Sequence, residues 1–123
     1  MIHGAVNARF EAIVPVRLRG PAGTELSVDA IVDTGFTASL TLPDTAIAVL
    51  GLQRQSRGGA VLADGSVRQF DIYTAEVSWA GAWRPVLVSG VGDEVLLGMR
   101  LLGGHKLAMA VMNGGLVEIA PLP

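Results

Sequence analysis

The chain has 123 residues, half of them hydrophobic and 16% charged, which is one domain with enough apolar material for a core. The formal net charge is -2, Lys106 is the only lysine and no Lys/Arg-rich block occurs, which argues against nucleic acid as the main partner. With no cysteine and only His3 and His105 as histidines, disulfides and thiolate metal sites are excluded, and no metal or cofactor is expected.

From the N-terminus, MIHGAVNARFEA lacks a basic stretch followed by an apolar one, so no signal peptide is expected and the cytoplasm is the expected location. No apolar run reaches the roughly 18–20 residues of a membrane span. Ala8, Phe10, Ala12, Val14, Val16 and Leu18 share one parity, while Arg9, Glu11, Arg17 and Arg19 fall on the other. A period of two predicts one strand, or two short strands with a bend. Gly20 to Gly23 reads as a turn. Leu26, Val28, Ala30 and Val32 alternate again, so a hairpin is expected whose second strand runs into Asp33-Thr34-Gly35. Thr37 to Leu42 predicts a further strand. Pro43 opens a helix of about two turns. Proline is tolerated in a first turn, Asp44 suits the positive end of the dipole, Ile47 and Leu50 share a face, and Gly51 is a natural stop.

Further along, Asp64-Gly65 predicts a two-residue hairpin turn with positive φ and a strand on each side. Tyr73, Ala75, Val77 and Trp79 alternate against Thr74, Glu76 and Ser78. Ala80 to Trp83 turns the chain into another strand, with Pro85 near its start or on an edge. The run from Glu94 to Leu102 is too short for periodicity to decide. Leu107 to Ala120 predicts a closing hairpin around Asn113-Gly114-Gly115. Many short strands with one or two short helices indicate an all-β sandwich or barrel, in a single domain over 1–123. A domain this apolar suits an oligomer whose subunits cover part of each other's surface.

Three features in order resemble a retropepsin-type aspartic protease of the bacterial and archaeal single-domain branch. They are Val32-Asp33-Thr34-Gly35 after an apolar strand, the hairpin around Asp64-Gly65, and Val95-Leu96-Leu97-Gly98 followed by Met99-Arg100-Leu101-Leu102. Each is weak alone, and Asp33-Thr34-Gly35 on its own is equally a plain turn. Their combination, spread from about Ala12 to Ile119, is much more specific.

The resemblance implies a small closed β-barrel of the retropepsin type and an aspartic endopeptidase. Asp33, Thr34 and Gly35 would form the catalytic loop. Two carboxyls held close share one proton, so one accepts a proton from water while the other polarises the scissile carbonyl. The chain holds one Asp-Thr-Gly, and Asp29, Asp44, Asp64, Asp71 and Asp93 lie in no comparable context. The resemblance therefore implies a homodimer with one Asp33 per subunit at a two-fold axis. Thr34 would point away from substrate and hydrogen-bond to the matching loop. The terminal stretches MIHGAV and GLVEIAPLP are the candidates for knitting the dimer, with LVEIA favoured and the N-terminus equally a frayed end. Substrate would be an extended peptide contacting Phe36, Thr37 and a flap tip of Leu62, Ala63, Asp64 and Gly65, with an acidic optimum. Phe36 stands where many relatives have a small residue, as a subsite wall or a core ring. Arg100 stands where many have Asp or Asn and reads as a solvated arginine. His3 and His105 read as surface residues, and Ser39 and Ser56 lack a nucleophile-elbow context. Two other classes of protein remain open. One is a non-catalytic dimeric binding module on the same scaffold, the other a monomeric barrel in which Asp33 only caps a turn.

Overall fold

A computed structural model describes all of residues 1–123. In chain order the elements are β1 (Ile2–Val6), β2 (Ala12–Arg19), β3 (Glu25–Val32), β4 (Leu40–Thr41), α1 (Asp44–Leu50), β5 (Arg54–Val61), β6 (Val67–Trp79), β7 (Ala82–Gly90), β8 (Leu96–Leu97), α2 (Met99–Leu102), β9 (His105–Met109) and β10 (Leu116–Pro121). The strands lie side by side as β5-β6-β7-β4-β8-β3-β2-β1-β10-β9. β2 also pairs with β6 through Leu18–Val77 and Arg19–Glu76. That contact curls the sheet until β6, β7, β4, β8, β3 and β2 close on one another. The hairpin arm of β5 and the β1-β10-β9 flank project from this ring.

The period of two decides which side chains fill the ring. On β2, Ala12, Val14, Val16 and Leu18 are buried while Pro15 and Arg17 face out. Across the ring, Val77, Val88, Leu40 and Leu97 complete the same core. Helix α1 closes one side with Ala46, Ile47 and Leu50. Burial of each large aliphatic side chain contributes about 1.5–3 kcal/mol. The helix ends as its sequence requires: Gly51 takes a left-handed φ of 63°, and its N–H donates to the Ala48 carbonyl.

Local chemistry modifies several expectations. The early alternation is broken between Val6 and Ala12, where Asn7 Oδ1 accepts the N–H groups of Arg9 and Glu11. Phe10 lies in that turn at φ 60°, exposed instead of on a strand. Only Leu40–Thr41 of the predicted Thr37–Leu42 strand pairs as one, because the backbone before it bonds elsewhere. Pro85 lies within β7, opposite Glu76. The ladder alternation turns its ring nitrogen away from β6, where no N–H is required.

The two hairpin turns divide the chemistry differently from the sequence reading. At the β5–β6 tip the two-residue turn does not form. Gly65 N–H donates to the Leu62 carbonyl at 2.9 Å, and Gly65 alone has positive φ, at 85°. This is a tight turn followed by a left-handed glycine, and Asp64 stays out of the left-handed region. The two-residue turn with positive φ at both positions occurs instead at Ala80-Gly81, with φ of 51° and 86°.

Candidate active site

Strand β3 carries the chain to Asp33 by pairing parallel with β8, Ile31 beside Leu96 and Val32 beside Leu97. The ladder continues one residue further, since Asp33 N–H donates to the Leu97 carbonyl at 2.9 Å. The chain then turns, with Phe36 N–H on the Asp33 carbonyl at 3.1 Å. Asp33 Oδ1 accepts the Gly35 N–H at 2.9 Å. That bond orients the carboxylate, and no hydrogen bond or ion pair to a protein group engages Oδ2. Gly35 has no positive φ. Its need is for space: a Cβ there would stand 3.3 Å from Asp33 Oδ1. Asp33 is thus a turn residue and an aimed carboxylate together.

The loop is shaped from outside as much as by its own residues. Gly98 N–H donates to the Ser39 carbonyl, Met99 N–H to the Phe36 carbonyl and Arg100 N–H to the Ala38 carbonyl. Together with the Asp33–Leu97 bond, these interlock 33–39 with 97–100. Gly98 is where the two backbones touch. A Cβ there would fall 2.1 Å from the Ala38 oxygen and 2.6 Å from Phe36 Cδ2. The apolar-apolar-Gly signature is therefore a packing requirement of the Asp33 loop. Buried Thr41 fixes the approach to it, with its hydroxyl donating to the Glu94 carbonyl and accepting the Leu96 N–H.

Phe36 is half-buried, its ring against Gly98, and Thr37 is exposed. Leu62, Ala63, Asp64 and Gly65 form the exposed tip of the β5–β6 hairpin, and no hydrogen bond joins them to the Asp33 loop. Asp64 turns inward on its own tip: the Ser66 hydroxyl and N–H both donate to Oδ1 and hold its carboxyl below the ordinary value. Other aspartates lie elsewhere. Asp71 faces Arg54 and Arg57 across the hairpin, and Asp29 stands on β3 opposite Pro15. Arg100 is exposed, in keeping with a solvated side chain. His105 is no free surface residue: its ring meets Trp79 edge-on at 5.7 Å.

Two features escaped the sequence. Thr34 opens on a shallow pocket of about 250 Å³ walled by Met99, Leu102, His105 and Leu107. Leu107 follows α2 by several residues, and nothing in its spacing announced the meeting. Secondly, β10 lies between β1 and β9, with Ile2–Ile119 and Ile119–Leu107 among its pairs. LVEIA therefore has neither edge free to knit a second chain.

No family model matches the chain, and no curated protein matches it by sequence. Among solved structures, it is similar to the crystal structure of a retropepsin-like aspartic protease from Rickettsia conorii, at a TM-score of 0.63 and 17% identity. The similarity covers 98% of this chain and 90% of that one. At this identity the likeness is one of architecture: the chain has a retropepsin-like fold, all-β with two short helices.

Proposed function

We propose that the chain is an aspartic endopeptidase, active as a homodimer in which each subunit supplies one Asp33. The observation that carries this is the Asp33 carboxylate at the end of β3, oriented by Gly35 N–H and leaving one oxygen unengaged, in a chain of retropepsin-like fold. With two such carboxyls at one axis, the pair holds a single proton between them. The ionised member takes a proton from a bound water as the water oxygen bonds to the scissile carbon. The protonated member donates to the carbonyl oxygen. A proton then passes to the departing amide nitrogen, the C–N bond breaks, and the pair returns to its starting state with no covalent intermediate. Substrate is an extended peptide, lying between the Asp33 loops and the β5–β6 hairpins and contacted by Phe36, Thr37 and the tip Leu62–Gly65. No helix is long and apolar enough to cross a membrane. A cytoplasmic setting belongs to the same proposal and rests on the sequence reading alone.

The test is hydrolysis of a peptide library by wild type and by Asp33→Asn across pH. Cleavage in the wild type with a bell-shaped pH profile, reduced at least a thousandfold in the variant, is expected, since the dyad acts as one unit. Equal cleavage by the variant overturns the mechanism. Peptide binding without cleavage at any pH assigns the chain to the binding-module class instead.

A further inference from the structure

The sheet has two free edges, and they differ in character. Along β5 the edge carries Arg54 and Arg57 with the glycines Gly58 and Gly59, the kind of charged strand that resists pairing with another chain. At the other end, β9 reads His-Lys-Leu-Ala-Met. One lysine is its only fixed charge, and Met109 is 38% exposed. The ladder with β10 pairs Lys106 with Ala120 and Ala108 with Glu118. The neighbouring bonds, Ala110 N–H to the Leu116 carbonyl and Leu122 N–H to the Gly104 carbonyl, set the alternation. Gly104, Lys106, Ala108 and Ala110 thus direct their backbone groups inward, and His105, Leu107 and Met109 direct theirs outward, where no strand meets them.

We infer that two copies of this chain join through β9, edge to edge and antiparallel, about a two-fold axis at Leu107. The inference rests on the two-chain site proposed above and names the surface that would build it. Three observations select this edge and this occupant. Asp33 needs a second copy of itself, and β9 is the free edge beside its loop, since Leu107 and Thr34 wall the same pocket. The alternative of pairing through LVEIA is closed, because β10 is bonded on both sides within its own chain. The register is also self-complementary. With Leu107 facing its own copy, His105 faces Met109 of the partner subunit, and all three outward-pointing residues exchange backbone hydrogen bonds. Lys106 faces Ala108 of the partner subunit, so no like charges oppose. Carried past the strand, the same register directs Val111 and Met112 toward Gly103 and Leu102 of the partner subunit. Val111 and Met112 are 64% and 61% exposed, an apolar pair with no cover of its own, and the pocket of Met99 and Leu102 is the matching hollow. The joined sheets run β2-β1-β10-β9 on each side without a break.

The absence of cysteine makes the register directly testable. Lys106→Cys and Ala108→Cys are both at exposed positions that the fold does not use. Mixed and mildly oxidised, the two proteins are expected to form a covalent heterodimer, because facing residues in this class of pair stand about 4.5 Å apart at Cα. Either protein alone is expected to stay reducible to background, since like positions then stand about 8 Å apart, beyond disulfide reach. In sedimentation, the double variant Val111→Asp/Met112→Asp is expected to weaken the dimer at least tenfold with an unchanged circular dichroism spectrum. A wild-type dimer that gives no cross-link in the mixture overturns this interface and leaves the two-chain site standing. A wild type that stays monomeric at all concentrations yet cleaves peptides overturns both.

Discussion

Gly98 leaves no room for a side chain beside the Asp33 loop. A Cβ 2.1 Å from the Ala38 oxygen meets backbone, which has no rotamer by which to withdraw. Gly98→Ala is therefore expected to cost about 3 kcal/mol or more and to disorder the Asp33 loop, read as a lower urea midpoint and loss of any peptide cleavage. Ala80 illustrates the opposite case. It occupies a left-handed φ of 51° in a turn that favours Asn or Gly. Left-handed backbone costs a residue with a Cβ about 1–2 kcal/mol, so Ala80→Asn is expected to stabilise the fold by about 1 kcal/mol and to raise the melting temperature by about 3–5 °C. An unchanged melting temperature would show that the left-handed backbone at Ala80 stores no strain in this turn. Asp64 belongs to this scale too. Its folded pKa is lowered from 3.8 because the carboxylate accepts two bonds from Ser66, so the ordering it gives the tip is complete above about 3.8 and fades as pH falls through the lower folded value. Protection of the Ser66 amide from exchange, followed by NMR from neutral pH downward, is expected to persist until the acid side of 3.8, and Asp64→Ala is expected to remove it above that pH and to change little below the lower folded value.

At the scale of elements, sequence and structure agree where the pattern is local. The alternation of Ala12–Leu18 marks β2 because one face of that strand packs the ring and the other meets water. Helix α1 is written in Pro43, Asp44 and Gly51, each acting on a neighbour within a turn or so. Agreement ends where a backbone is committed to a distant partner. Thr37–Ser39 have strand-like composition, yet their carbonyls and those nearby are taken by Gly98, Met99 and Arg100, which no local pattern reveals. Asp64-Gly65 announced a hairpin correctly but the wrong turn, since the Ser66 bonds hold Asp64 in place without positive φ. For the candidate site, the motif marked a turn at Asp33 that the structure shows, while the pocket beside Thr34 depends on β9 returning past α2 and had no signature. The expected role of LVEIA failed for a related reason: its composition shows a strand, but only the sheet order shows that both its edges are taken.

For the whole molecule, a two-chain assembly links stability to concentration. If the folded dimer is what persists, the melting temperature is expected to rise with protein concentration, by mass action, and differential scanning calorimetry over a hundredfold dilution checks it. A constant melting temperature would mean that each subunit melts alone. The interlock of 33–39 with 97–100 has a further consequence, for the order of events during synthesis. A ribosome releases Asp33 early and the segment that shapes its loop late, and contacts between such distant parts of a chain are slow to close. A chain that stops before Gly98 thus carries β1 to β8 and the Asp33 carboxylate, but lacks the Gly98, Met99 and Arg100 N–H groups that hold the Ser39, Phe36 and Ala38 carbonyls. The shape of the Asp33 loop is thus timed to the arrival of residues 97–100.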